Sequence, residues 1–447
     1  MEPYGQLRNI GEQKNSYAEL CRLYLRADDR YNSGLFHFKS EKGRSGEPDE
    51  FTVNLKVDEK VIDSILKNLY YPDSPYEFSV LPADILGQVY EQFLGKVIRL
   101  TAGGQAKVED KPEVKKAGGV FYTPTYIVDY IVAQTVGKLL EGKTPKDAAE
   151  LRILDPACGS GSFLLGAFQF LLDWHRDFYV SDDPEKYSRA ARNRIQTLWQ
   201  GPGGEWRLTT AEKRRILLNN VYGVDIDPQA VEVTKLSLLL KVLEGENAGS
   251  LGQMAFFQER ALPDLDNNIK CGNSLIGPDF YAGQGQQLAM FDTEEMYRIN
   301  AFDWKAEFAE IMGAGGFDAV IGNPPYVRQE WLGDSKSYFQ LRYKTYKPTA
   351  DLYVNFIEKG LSVLNPSGLF GMIVSNKWLR AAYGKPLREY LLDHATIREV
   401  VDFAGLPVFP NATVRTIVMI CSPGNQNTPT FLYLAPVEKE EFLTISD

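Results

Sequence analysis

Apolar positions along this chain follow two different rhythms. In roughly the first hundred residues they recur at helical spacing. Asn15 to Leu25 places aromatics and leucines on one helix face. Glu59 to Tyr70 repeats this with Val61, Ile62, Ile65, Leu66 and Leu69, and Leu81 to Ile98 is a third helix candidate. The charged, glycine-containing stretch Ser40 to Glu50 reads as a loop, and Thr101 to Ala117 (TAGGQAKVEDKPEVKKA) as a mixed-charge linker. Beyond it the rhythm changes to short, partly β-branched apolar runs alternating with helices. The runs are Leu151–Leu154, Val221–Asp225, the start of Ile269–Leu275, Phe317–Gly322, Leu369–Val374, Ile397–Phe403 and Thr413–Cys421. Helices are expected from Pro124 with a stripe of Ile127, Val128, Ile131, Val132 and Val136, from Phe163 to Trp174, from Pro228 to Leu243, and from Asp351 to Leu364. Arg176 to Arg215 reads as a polar, helical insertion broken by Gly-Pro-Gly-Gly. Strands alternating with helices predict an α/β fold around a mostly parallel sheet. The expected division is a helical connector domain and linker over 1–117 and an α/β domain over 118–447.

Composition narrows the class. At 447 residues the chain has room for two or three domains. No apolar run is long enough to span a bilayer, and Met1-Glu2-Pro3-Tyr4 does not open a signal peptide, so no membrane partner is expected. The four cysteines lie far apart with no CxxC pair, and the three histidines are equally scattered. Neither a metal site nor a disulfide framework is expected, and a reducing cytoplasm is. A net charge of −10 speaks against wholesale wrapping of nucleic acid but leaves room for a local basic strip.

The strongest chemical signal is Asn323-Pro324-Pro325-Tyr326. It follows the buried run Phe317–Gly322, and two prolines cannot continue a sheet. The strand therefore ends in a stiff turn at its carboxyl edge, where open α/β sheets bind ligands. The Asn323 side-chain oxygen and the Pro324 carbonyl form a pair of acceptors able to receive both hydrogens of a planar exocyclic amine. Tyr326 offers a flat face for the ring that carries this amine.

Upstream, Asp155-Pro156-Ala157-Cys158-Gly159-Ser160-Gly161-Ser162-Phe163 joins a strand to a helix through a glycine-rich turn, a nucleotide-binding arrangement. A nicotinamide dinucleotide fits it poorly. The third glycine of GxGxxG would fall at Leu164, and the next acidic strand end, Asp225, lies roughly sixty residues on instead of about twenty. The Asp225 carboxylate can accept from both hydroxyls of a ribose, while Asp227 suits a helix N-cap. Thr123 also suits an N-cap, with Pro124 at the first helical position, and a helix start of this kind can hold a carboxylate. Asn273 and Ser274 stand at the end of the third strand. Downstream of the central turn, Arg328, Lys336, Arg342, Lys344 and Lys347 are interleaved with Tyr338, Phe339, Tyr343 and Tyr346, a mixture suited to phosphate contact and base stacking.

These stretches, in the order Gly118–Pro124, Asp155–Phe163, Val221–Pro228, Ile269–Leu275, Asn323–Tyr326 and Leu406–Asn411, resemble motifs X, I, II, III, IV and VIII of the gamma-class N6-adenine DNA methyltransferases. The surrounding text (YNSGLF, GGVFYTP, DPACGSGSF, CGNSL, FDAVIGNPPYV) looks most like the methyltransferase portion of type IIG restriction–modification enzymes, with related phage-defence methyltransferases close by. The resemblance implies a Rossmann-like methyltransferase sheet whose seventh strand runs antiparallel, and S-adenosylmethionine as cofactor. The cofactor would be held by Tyr122, Thr123, Asp155, Pro156, Ala157, Gly159, Gly161, Phe163, Asp225, Ile226, Asn273 and Ser274. Relatives often carry Asp where Asn273 stands. Cys158 belongs to the loop pattern and is not expected to act as a nucleophile. Asn323, Pro324, Pro325 and Tyr326 would be catalytic, with Tyr326 and Phe409 stacking on an adenine extruded from double-stranded DNA. A target-recognition domain and a nuclease are expected outside this chain. The Asn-Pro-Pro-Tyr motif also occurs in enzymes that methylate glutamine side chains. An RNA-adenine or protein-glutamine methyltransferase, or a silent DNA-recognition subunit, therefore remains an alternative.

Overall fold

The computed structural model describes residues 6–31, 49–70, 96–110, 123–190, 195–245, 262–282, 299–327, 335–403, 414–424 and 431–436, apart from 102, 104 and 202, together with scattered residues between them. The helical rhythm of the first part forms the helices Gln6–Gly11, Ser16–Tyr31, Glu50–Asn54 and Glu59–Lys67. Ile10, Leu20, Ile62 and Leu66 pack together between them. The expected stripe on Glu59–Lys67 is only half used, because Val61 and Ile65 face solvent. Of the loop Ser40 to Glu50, only Asp49 and Glu50 are described, and they begin the third of these helices.

Three expectations need correction here. Lys96–Leu100 pairs antiparallel with Ala106–Asp110, so a hairpin replaces both the end of the expected third helix and part of the expected linker. KVIRL and AKVED are short, and each mixes charged with β-branched residues, so the strands form by pairing with each other across a Gly-containing turn. Likewise the Gly-Pro-Gly-Gly break is a hairpin turn, joining Leu198–Gln200 to Trp206–Leu208.

The expected mostly parallel sheet forms. Its strands are β1 (Ile153–Asp155), β2 (Val221–Asp225), β3 (Ile269–Cys271), β4 (Phe317–Gly322), β5 (Leu364–Ser375), β6 (Ala395–Asp402), β7 (Thr416–Pro423) and β8 (Leu432–Leu434), in the order β8-β6-β7-β5-β4-β1-β2-β3. The seventh strand, β7, is antiparallel to both neighbours, and every other pairing is parallel. From β1 the chain builds outward to β2 and β3, then returns to place β4 on β1's other side. The gap between β1 and β4 is therefore the topological switch point, where such sheets bind ligands beyond their carboxyl ends.

Both faces of the sheet are covered. Helix α1 (Thr125–Val132), continued through a π-turn to Leu140, and helix α2 (Ser162–Asp182) bury Ile127, Ile131, Phe163, Leu164 and Phe168 against one face. Helix α3 (Pro228–Leu243) joins them through Val231, Leu238 and Leu239. Helix α4 (Tyr353–Val363) covers the other face with Tyr353, Val354 and Ile357. Strands buried on both sides explain why β4 and β5 read as nearly unbroken apolar runs. The Tyr130 hydroxyl donates to the Glu399 carboxylate and ties α1 to β6. Among the described residues no helix is long and apolar enough to cross a membrane.

Candidate active site

Asn323 leaves β4 at the switch point. The turn is set by Gly322, whose φ of +156° suits glycine and whose neighbour is Asp155 at the end of β1. A Cβ on Gly322 would stand 2.7 Å from Asp155 Oδ1. Only glycine lets the two strand ends come this close. The Asn323 amide is held on one side, where Nδ2 donates to Thr123 Oγ1 at 3.1 Å. On the other side Oδ1 is buried and has no hydrogen-bond partner among the described residues. A buried acceptor left unpaired costs about 1–3 kcal/mol. Such a group is a natural place for a ligand to complete.

Pro324 is buried and Pro325 exposed. Tyr326 is half-buried. Its hydroxyl donates to the Ile373 carbonyl in β5 at 3.2 Å, and its ring meets Tyr353 edge-on, with centroids 5.8 Å apart. Burial pushes its phenol well above the ordinary range, so it stays protonated.

The glycine-rich loop lies across the switch point from this turn. Asp155 Oδ1 accepts from Ala157 N at 3.0 Å, and Cys158 N donates to Val224 O at 3.0 Å. Gly159 and Gly161 have φ of +53° and +88°, and Gly161 caps α2. Two contacts that the sequence did not reveal hold the loop in place. The Thr234 hydroxyl on α3 donates to Gly159 O at 2.8 Å, and the Ser274 hydroxyl donates to Pro156 O at 2.5 Å. In the first part of the chain, Gly87 lies against Ser160, where an added Cβ would be 3.1 Å from its hydroxyl oxygen. Cys158 is buried, and desolvation raises its thiol well above the ordinary value, which makes it a poor nucleophile. Phe163 is buried in the core.

Asp225 ends β2 facing this loop. Its Oδ2 accepts from Gly159 N at 2.8 Å and its Oδ1 from Asp227 N at 2.9 Å. Burial raises the carboxyl to about 6 despite these bonds. Asp227 is the N-cap of α3, accepting from Gln229 N at 2.9 Å. Ile226 is exposed beside it. Asn273 Oδ1 accepts from Leu275 N at 3.1 Å, which aligns the turn after β3 and commits that oxygen.

Several expected placements come out differently. Thr123 is not the N-cap of α1. Pro124 occupies that position without a side-chain cap, because the Thr123 hydroxyl is engaged with Asn323. Tyr122 and Arg328 lie outside the described residues. Phe409 is buried in the core cluster of the α1–α2 face, whereas Tyr326 packs with the cluster of the α4 face. Among the described residues of the basic strip, the cations have different partners. Arg342 is ion-paired with Asp279. Lys344 Nζ lies 3.2 Å from His394 Nε2, and His394 directly precedes β6 at the opposite, amino edge of the sheet. Lys336 is half-buried and Lys347 exposed.

Residues 82–260 match the N-6 DNA Methylase family, and residues 219–409 match the Eco57I restriction-modification methylase family. The chain is 30% identical over 443 residues to the type II restriction enzyme and methyltransferase RM.Eco57I of Escherichia coli, covering 98% of this chain and 40% of that protein. It is 23% identical over 317 residues to the adenine-specific methyltransferase PglX of Streptomyces coelicolor, covering 68% of this chain and 23% of the relative. Among solved structures, a DrdV–DNA complex superposes with a TM-score of 0.52 at 15% identity, over 88% of this chain and 34% of that one. The chain thus spans well under half the length of these relatives.

Proposed function

Residues 82–409 of this chain fall in the N6-adenine methylase families, and from that premise we propose that it transfers a methyl group from S-adenosylmethionine to the N6 amine of an adenine extruded from duplex DNA. The unpaired, buried Asn323 Oδ1 carries this reading. With the Pro324 carbonyl it gives the amine two acceptors, which draw the nitrogen lone pair out of conjugation with the ring as the nitrogen becomes tetrahedral. Tyr326 supplies the face that holds the base.

The loop fits the cofactor. Glycines at positive φ keep backbone close to the ligand, and an added Cβ on Gly161 would collide with Thr234 at 2.9 Å. Asp225 presents a carboxylate for ribose hydroxyls, and the exposed Ile226 lies next to it for the purine. Asn273 keeps its Nδ2 as a donor toward that purine. S-adenosylmethionine supplies an electrophilic sulfonium methyl. The protein's part is to hold the amine in line with it and to keep water away, and positioning of this kind contributes much of a rate enhancement. The helices of the first part of the chain, before the family match begins at residue 82, act as a connector to this catalytic unit.

Incubation with methyl-labelled cofactor and, separately, duplex DNA, RNA and protein tests the reading. Label recovered as N6-methyladenine in DNA is the expected result. Label entering only RNA or protein glutamine would replace this reading with one of the two alternatives.

A further inference from the structure

The central turn has a second flank. β5 and β7 run antiparallel with Thr416 opposite Ser375, so the residues just after β5 and just before β7 meet at the carboxyl edge of the sheet. Asn376 N donates to Arg415 O at 3.0 Å, and Arg380 N to Lys377 O at 3.2 Å, which brings three cationic residues onto one corner. Tyr326 reaches that strand through Ile373, four positions before Lys377. The corner is braced from below. The Arg388 guanidinium donates to the carbonyls of Trp378 and Ala381 and fixes the turn that carries Lys377 and Arg380.

Lys377, Arg380 and Arg415 are exposed, and among the described residues none of them is in an ion pair. An acid at this edge, Asp402, accepts from Asn376 Nδ2 at 3.4 Å and from the Tyr433 hydroxyl at 3.0 Å. By contrast, Arg342 of the strip singled out in the sequence is neutralised by Asp279, and Lys344 is drawn toward the opposite edge of the sheet.

We propose that Lys377, Arg380 and Arg415 form a phosphate-contacting surface that takes the DNA backbone beside the extruded adenine. This rests on the DNA methyltransferase reading and adds where the strand lies. Unpaired cations on a braced turn suit phosphates, which position a duplex without reading its sequence. They also lie on the same sheet edge as the acceptors for the base, so a backbone held there leaves one nucleotide within reach of Asn323.

The test is equilibrium binding of the full chain to a labelled short duplex of random sequence over a range of KCl concentrations. Each phosphate contact contributes about 0.9 to the slope of log affinity against log salt. The triple variant Lys377→Ala, Arg380→Ala, Arg415→Ala is expected to lower that slope by about 2–3. Its S-adenosylmethionine affinity should be unchanged, which also checks that it folds. The pair Arg342→Ala, Lys344→Ala should keep the wild-type slope. A triple variant with the wild-type slope, or a loss confined to the Arg342 and Lys344 pair, overturns the proposal, as does a wild-type chain with no salt-dependent duplex binding. Wild-type methylation of DNA with an unaltered triple variant sinks only this inference. Methylation of RNA or protein alone sinks the proposed function as well.

Discussion

Thr123 and Asn323 are joined by a hydrogen bond of 3.1 Å, although they are 200 residues apart in the chain. The segment that opens α1 thus reaches the turn after β4 and sets the rotation of the Asn323 amide. With Nδ2 held by the threonine hydroxyl, Oδ1 is left as the open acceptor. Thr123→Val keeps the shape and removes the bond. Losing an orienting hydrogen bond worth about 0.5–1.5 kcal/mol corresponds to roughly a twofold to 13-fold slower methyl transfer. Single-turnover transfer at saturating cofactor measures this, and Thr123→Ser should restore most of the rate. Were cofactor affinity alone to fall, the hydroxyl would instead serve the cofactor's carboxylate, as the sequence suggests.

Asn323→Ala removes the acceptor itself. In the proposed role its contribution grows as the amine nitrogen becomes tetrahedral, so the loss belongs to the transition state. A missing preorganised group of this kind costs about a hundredfold to a thousandfold in rate. Cofactor affinity, measured by calorimetry, should stay near wild type because the cofactor loop belongs to β1 and β2. A wild-type rate in this variant would leave Asn-Pro-Pro-Tyr as a turn and nothing more.

Gly161→Ala tests the loop. The position has φ of +88°, and the new Cβ would stand 2.9 Å from Thr234 Cγ2. Alanine at positive φ destabilises by more than about 1 kcal/mol, and the collision adds to that. Thr234 must move, which disturbs its bond to Gly159 O. The melting temperature should fall, and the stabilisation that S-adenosylmethionine confers should shrink. A variant with unchanged melting in both conditions would show that the loop does not need its left-handed glycine.

Much of the sheet was legible because strands buried on both faces leave continuous apolar runs. β1 to β7 fall within a few residues of where the runs predict them. β8 was not legible: Leu432–Leu434 is three residues long and exposed or half-buried, and it becomes a strand only by pairing with β6. The Lys96–Asp110 hairpin was hidden for a similar reason. Within the site, glycine spacing and strand-end carboxylates pointed to Asp155, Gly159, Gly161 and Asp225. Thr234 gave no signal, since a threonine inside a helix has no local mark of a bond made to a loop 75 positions earlier. For the basic strip, proximity in sequence gave no sign that Arg342 would pair with Asp279 or that Lys344 would lie beside His394, because both partners are far along the chain.

Tyr326 divides into a face and a hydroxyl. Tyr326→Ala removes the face and should cost about 1–3 kcal/mol of base stacking. Tyr326→Phe keeps the face but leaves the Ile373 carbonyl without its donor. That bond is worth about 0.5–1.5 kcal/mol, so the phenylalanine variant should melt slightly lower while transferring methyl at close to the wild-type rate. Fluorescence of a duplex carrying 2-aminopurine at the target position would report stacking directly. Equal base stacking in the alanine variant and the wild type would remove Tyr326 from the base-holding role.

The last prediction concerns pH. Burial raises the Asp225 carboxyl to about 6 in the folded chain, above its ordinary value. In the unfolded chain it ionises near the usual aspartate range, around pH 4. This group therefore favours the fold when protonated, and its contribution is lost as pH rises from about 4 through about 6. Cofactor binding runs the other way. Under the proposed function ribose hydroxyls donate to the ionised carboxylate, so S-adenosylmethionine affinity should be constant above about pH 7 and should weaken below about pH 6, by up to tenfold per pH unit. Asp225→Asn keeps one acceptor oxygen and cannot ionise. Its affinity should be lower than wild type at neutral pH and flat between pH 5 and pH 7. Calorimetric titrations of both proteins across that interval decide the matter. A wild-type affinity that does not change with pH would mean that Asp225 shapes the loop through Gly159 and Asp227 without meeting the ribose.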